Sequence, residues 1–293
     1  MLPTHGRYSY APINERPFFR WPNGAGLAVY LALNVEHYAF SEGLAEDLVP
    51  GMEQPDVLNS SWREYGTRIG AWRLLDLFKE FDMPATILLN SAVCDHAPQL
   101  VRAMVDDGHE IAAHGRTNSE SQAGLSENNE RALIDLVTDG IARAAGSRPT
   151  GWLSPWLAET KLTPDLLQEA GYTYLLDWCA DDQPIWLTTR GGRILSLPYA
   201  QEINDSAAIM GRFVGAAEFA DIIIDQVDEM LAQSAKQPLV LGIALHANII
   251  GQPFRIRHLR RALTHLNSLS ERVWLTRAAD IVAAVKAQPE KVV

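Results

Sequence analysis

The sequence predicts an α/β protein built as a β/α barrel, and three observations carry that expectation. Short apolar runs alternate with amphipathic helical patterns about seven times. Chemically able polar residues stand where those runs end, and a chain of 293 residues suits one barrel of ordinary size. An open doubly wound sheet would share the alternation. No Gly-x-Gly-x-x-Gly follows the first run, which weighs against a dinucleotide-binding sheet.

The elements follow in order. Residues 1–23 are rich in proline and aromatic side chains and cannot be regular helix or central strand. They are read as an arm, packed over the closed end of the barrel or engaged in a subunit contact. No linker or repeat follows, so residues 1–293 read as one catalytic domain carrying that arm. Apolar runs at 27–33, 85–89, 110–113, 150–153, 172–176, 239–245 and 273–275 have the character of buried parallel strands. Between the first two, Ile69, Trp72, Leu75 and Phe78 recur at three-residue spacing, with Leu74, Leu77 and Phe81 widening the stripe of an amphipathic helix. A helix over 98–107 stops at Gly108. Thr163-Pro164 reads as an N-cap followed by proline at the first helical position, and Gly171 closes that helix.

The ends of the runs are the informative places. Residues 27–33 lead into Asn34-Val35-Glu36-His37, 86–89 into Asn90, 111–113 into His114-Gly115-Arg116-Thr117-Asn118, and 239–245 into His246. Strand C-termini in a barrel share one mouth, so Glu36, His114 and His246 are expected to converge there despite their separation in sequence. A lone glutamate after a strand is commonly a solvated loop residue, and a lone histidine is commonly a hydrogen-bonded structural one. Four such endings in succession are harder to explain that way. His109 precedes its strand and is expected to lie away from the mouth.

Several stretches together resemble the polysaccharide deacetylase superfamily, over about residues 8–284. They are Asn34-x-Glu36, Glu64-Tyr65-Gly66-x-Arg68-x-Gly70 with Trp72-Arg73-Leu74-Leu75, Gly108-His109-Glu110-Ile111 leading to His114-Gly115, and Gly151-Trp152-Leu153-Ser154-Pro155-Trp156. Asp181-Asp182-x-Pro184, Pro198-Tyr199 with Asn204-Asp205, and Leu245-His246 followed by Ile250-Gly251-x-Pro253 complete the set. The likeness is greatest to the branch of metal-independent allantoinases and cyclic imide hydrolases. It implies a distorted (β/α)7 barrel, hydrolysis of a non-peptide C–N bond, and a homo-oligomer, with the tetramer common among relatives.

The departures from the family pattern shape the expected chemistry. The second histidine of the metal-binding His-x-x-x-His motif is Asn118 here, an arginine of the Pro-Trp motif is Leu153, and the catalytic aspartate falls at Asn34 or Glu36. Glu36, His114 and Asn118, with His37 as a substitute, would be the ligands of a zinc ion, but a neutral amide oxygen is a poor replacement for imidazole. The expectation is therefore a site that needs no cofactor. Glu36 would act as general base, His114 would orient it or share its proton, and His246 would serve as general acid or oxyanion donor. Asn34 and Asn118 would bond ring carbonyls, Tyr65, Trp156 and Trp178 would wall a flat pocket, and Arg68 would meet a carboxylate or carbonyl. A cyclic imide or ureide suits such a site, because its leaving nitrogen is stabilised by a second carbonyl. Metal-dependent deacetylation of an N-acetyl sugar is the main alternative, and a ligand-binding protein without chemistry is a third.

Composition narrows the partners. A net charge of −11 argues against nucleic acid, and 47% apolar with 21% charged residues is that of a globular protein. No apolar run is long enough to span a bilayer, and residues 1–20 show no apolar signal segment. Cys94 and Cys179 make no disulfide framework. The expected setting is the cytoplasm, with reduced thiols and a small-molecule substrate.

Overall fold

Side-chain alternation along β1 (Leu27–Val35) sets the architecture. Leu27, Val29, Leu31, Leu33 and Val35 face outward into the core beneath the helices. Ala28, Tyr30 and Ala32 face the other way, into an inner core shared with Leu88, Ala112, Tyr174 and Ala244. The next two inward positions are Asn34 and Glu36. The computed structural model describes residues 4–45, 48–49 and 51–293.

The remaining strands are β2 (Ala85–Leu89), β3 (Glu110–Ala113), β4 (Gly151–Trp152), β5 (Tyr174–Leu175), β6 (Ile185–Thr189), β7 (Gly192–Ser196), β8 (Leu239–His246) and β9 (Val273–Thr276). Their order is β6-β7-β5-β4-β3-β2-β1-β8, and β9 pairs with the first half of β1 while β2 pairs with the second half. All pairs are parallel except the β6–β7 hairpin. Each of the seven expected runs contains a strand, shortened to two residues in 150–153 and 172–176, and the hairpin adds two that periodicity did not predict. On the far side, Val240 N–H donates to the Asp182 carbonyl and Ala244 N–H to that of Ile203, each at 2.9 Å. The result is a curled, partly closed mixed sheet surrounded by helices.

The helices are α1 (Val57–Tyr65), α2 (Ala71–Glu80), α3 (Ala92–His96), α4 (Pro98–Asp106), α5 (Glu127–Ala145), α6 (Thr163–Glu169), α7 (Ala216–Gln233), α8 (Pro253–Ser268) and α9 (Ala278–Lys286). The Thr163 hydroxyl bonds the buried Glu130 carboxylate instead of capping its own helix, so α6 starts at Thr163 rather than after it. A π-helical turn, Gly66–Gly70, joins α1 to α2 and shifts the phase of the expected apolar stripe. Ile69 lies in that turn and Trp72 on the outer side of α2, so both are exposed, and Ala71, Leu74, Leu75, Leu77 and Phe78 form the buried face.

Close approach explains two of the glycines here. A Cβ on Gly70 would lie 1.9 Å from the Ala247 carbonyl oxygen, and one on Gly251 would lie 2.6 Å from the Gly70 Cα. The π turn therefore presses against the loop that follows β8. Gly70→Ala is expected to cost about 1–3 kcal/mol through overpacking, read from the denaturant midpoint.

The arm is divided. Phe19 and Trp21 are buried at the closed end with α9, and the Trp21 indole donates to the Leu239 carbonyl at 2.9 Å. Further out, Arg7 pairs with Asp165 and Arg16 with Asp181, both at 2.7 Å. Residues 1–3 of the expected arm lie outside the described residues. His109 accepts the Ala85 N–H at the start of β2, away from the mouth. No helix among the described residues is long and apolar enough to cross a membrane.

Candidate active site

Glu36, one residue beyond β1, is the centre on which the other polar side chains converge. Its Oε1 accepts from the Asn118 amide at 2.6 Å, and its Oε2 accepts from the Tyr38 hydroxyl at 2.9 Å. His114 Nε2 is 3.4 Å and His246 Nε2 is 3.8 Å from the same Oε1. The three residues expected to meet at the mouth are therefore within reach of one another.

Both imidazoles are held by their far nitrogens. His114 Nδ1 faces the Leu153 carbonyl at 2.9 Å, and His246 Nδ1 faces Asp205 Oδ1 at 2.7 Å. Neither partner can donate at that contact, so each Nδ1 carries a hydrogen and each Nε2 is presented to Glu36. The two backings differ in charge. Asp205 is fully buried and also accepts the His246 N–H at 2.9 Å, whereas Leu153 offers a neutral carbonyl.

The amide beside Glu36 is oriented from the backbone outward. His37 N–H donates to Asn90 Oδ1 at 2.9 Å, which leaves Asn90 Nδ2 to donate to the His114 carbonyl and to Asn118 Oδ1, the latter at 3.0 Å. Asn118 must then turn its nitrogen to Glu36 and, at 3.4 Å, to Tyr38. Both of its amide hydrogens are committed within the site, so it has no donor left for a substrate carbonyl. Asn34 is committed too: its Nδ2 donates to the Tyr199 hydroxyl at 3.0 Å and the Leu245 carbonyl at 3.2 Å. The carbonyl-binding role expected of both asparagines does not match this wiring.

These groups line a cavity of about 220 Å³ that also takes in Arg63, Leu153, Trp156, Tyr199, Asn204, Ser206 and Asn248. Trp156 stands at its rim in the left-handed region (φ 63°), with its indole donating to the Asn118 carbonyl at 2.8 Å. Three expected pocket residues lie elsewhere. Tyr65 bonds Arg73, and Trp178 packs edge-on against His5 and Tyr8 of the arm. Arg68 is exposed, because Gly66 and Gly70 turn the inner edge of the π turn toward residues 247–248 and leave residue 68 on the outer one. His37 packs at a tilt against His96 outside this cavity, with ring centroids 4.6 Å apart. In place of Arg68, the buried Arg63 enters from α1, its guanidinium 3.8 Å from the Tyr38 ring centre.

Sequence reasoning assigned no role to Arg63, Tyr38, Tyr199 or Asp205. Tyr38 could have been found by its i+2 spacing from Glu36, and Tyr199 and Asp205 stand in motifs that carried the family resemblance.

Electrostatics separate the carboxyl groups. Burial alone would raise the Glu36 pKa, but when both imidazoles are protonated the hydrogen bond from His114, the charges of His246 and His114, and the Tyr38 hydroxyl outweigh it and hold it at about 2. Burial and the adjacent Glu36 charge push Tyr38 well above the ordinary phenol range, so it stays a donor. Behind His114, Asp177 accepts the Ser154 N–H at 2.7 Å and its hydroxyl at 2.9 Å. Burial raises both Asp177 and Glu159, and repulsion by Asp177 raises Glu159 further. Carboxyl groups raised on folding stabilise fully below their unfolded values, near 4, and lose that contribution as pH rises through the folded ones. Glu159→Gln is expected to flatten the fall of the thermal midpoint between about pH 5 and 9.

The donor set does not fit a divalent cation. Both oxygens of Glu36 already accept protein hydrogens, and the third position of the expected ligand set presents an N–H instead of a lone pair. Among the described residues, no three His, Cys, Asp or Glu side chains form a metal-holding group.

Comparison with known proteins places this chain in a family. The polysaccharide deacetylase family model matches residues 64–175, which include His114 and Asn118. A Schizosaccharomyces pombe protein assigned by name to the polysaccharide deacetylases is 27% identical over 307 aligned residues, 94% of each chain. A crystal structure from Pseudomonas aeruginosa, assigned by name to the same enzymes, is 30% identical with a TM-score of 0.80, over 92% of this chain and 93% of that one. The crystal structure of the Puue allantoinase is also 30% identical with a TM-score of 0.80, over 96% and 95%. The chain belongs to the polysaccharide deacetylase superfamily, hydrolases that act on carbon–nitrogen bonds other than peptide bonds.

Proposed function

We propose that this protein opens the ring of a small cyclic imide or ureide by adding water across a C–N bond, using its own side chains and no metal. The observation that carries this reading is the fixed orientation of Asn118, which turns a hydrogen-bond donor toward Glu36 where a metal site needs a ligand. The 30% identity to an allantoinase supports it. So does the cavity of about 220 Å³. That is below the roughly 300–1,000 Å³ of pockets for drug-sized ligands, and it suits one small ring.

In this mechanism Glu36 and His114 Nε2 act as one base. His114 enters neutral, with its hydrogen on the Nδ1 that faces the Leu153 carbonyl, so as water held on Glu36 attacks a ring carbonyl carbon its proton passes through the carboxylate to the free Nε2. His246, a cation backed by Asp205, stabilises the developing oxyanion and then gives its Nε2 proton to the ring nitrogen as the C–N bond breaks. The water oxygen ends in a new carboxyl group, and the nitrogen leaves as an amide or ureido group on the same molecule. A cytoplasmic homotetramer acting on a diffusible substrate belongs to the same reading, and light scattering on the purified protein tests the tetramer.

The names of the matched relatives favour a second reading more than the first. Several carry deacetylase names, and a Helicobacter pylori peptidoglycan deacetylase is 27% identical over 53% of this chain. Deacetylation of an N-acetyl sugar would break the same kind of bond. A screen of cyclic imides, ureides and N-acetylglucosamine oligomers, with and without EDTA, separates the two. Chelator-insensitive ring opening is expected. Acetate release abolished by EDTA and restored by zinc would replace the first reading with the second.

A further inference from the structure

Asn34 leaves one atom unused. Its Nδ2 is held by the Leu245 carbonyl and the Tyr199 hydroxyl, and rotating the amide would set Oδ1 against the Leu245 oxygen. Its Oδ1 is therefore an acceptor, and no donor among the described residues reaches it. The side chain is 1% exposed and lines the cavity beside Glu36. A buried acceptor without a partner is costly unless something supplies a hydrogen.

Tyr199 offers the complementary atom. Its hydroxyl accepts from Asn34 and makes no other hydrogen bond among the described residues, so its own proton is left to point elsewhere. Tyr199 also lines the cavity, and burial pushes its phenol far above the range in which it would ionise. One acceptor and one donor thus stand together on the wall next to the attacking group.

We infer that Asn34 Oδ1 and the Tyr199 hydroxyl are a specificity pair that reads an N–H and an adjacent C=O on the same edge of the substrate. This rests on the ring-opening reading and narrows it to rings whose imide nitrogen is unsubstituted. A small ring forces its amide to be cis, which puts N–H and C=O side by side. An open-chain secondary amide, such as an N-acetyl group, is trans and points the two in opposite directions. Such a group can satisfy one member of the pair but not both. Methylating the ring nitrogen removes the hydrogen that Asn34 awaits and leaves the acceptor buried against a methyl group.

The test compares succinimide, glutarimide and hydantoin with the analogue of each methylated at the imide nitrogen, on the full-length protein. The wild type is expected to favour the N–H ring by about a hundredfold or more in kcat/KM, as sites built to bond a substrate N–H do. Asn34→Ala should bring that ratio within about tenfold, and Tyr199→Phe should lower turnover of the N–H ring more than that of its methylated partner. The wild-type ratio needs no variant to fold. Ring opening with N–H and N-methyl substrates within about threefold of each other overturns the specificity pair and leaves the ring-opening function standing. No ring opening with any of the six overturns both.

Discussion

Replacing Glu36 by glutamine is expected to lower the turnover of ring opening by about a thousandfold or more. The carboxylate is the one group that both imidazoles and both donors address, and an amide cannot carry a proton onward to His114. The substitution should still fold. A glutamine oxygen can accept from Asn118, while its nitrogen donates to the Tyr38 oxygen after the hydroxyl rotates. Stability gives a second readout. A carboxyl lowered from 4.5 to about 2 contributes fully above its unfolded value and loses that contribution as pH falls toward the folded one. Wild-type protein should therefore lose more stability between pH 4.5 and 2 than Glu36→Gln does, as followed by denaturant unfolding.

Asp205→Asn should cost on the order of a thousandfold in turnover, with a smaller change in KM. The carboxylate holds His246 through both the ring and the backbone N–H, so an amide placed there keeps one contact and removes the charge. If its nitrogen faces Nδ1, the imidazole must present the opposite tautomer to Glu36. Loss of the buried negative charge also makes the imidazolium a stronger acid. The alkaline limb of the rate profile is therefore expected to move to lower pH. A purely structural defect would lower the rate without shifting that limb, and so would end the assignment of His246 as the acid.

Much of this site can be read from strand ends. Parallel strands buried on both faces are continuous apolar runs, so the change to Asn34-x-Glu36, His114 and His246 marks the mouth even without coordinates. The β6–β7 hairpin escaped that reading because Ile185–Thr189 mixes buried and exposed positions. The Arg190-Gly191-Gly192 turn was the local signal for it. Arg63 escaped for another reason. The buried residues of α1 are Asn59 and Arg63, polar side chains that no apolar periodicity marks. Hydrogen-bond polarity is further still from the sequence. That Asn118 donates while Asn34 is left accepting depends on Asn90, Tyr199 and two backbone carbonyls brought together only by the fold.

The outer edge of β6 has one more consequence. Trp186 N–H donates to the Val293 carbonyl and Thr188 N–H to that of Arg7, each at 2.7 Å, so two segments far apart in sequence lie along one strand and occupy its outward amides. Removing either segment would bare a row of amides able to recruit a foreign strand.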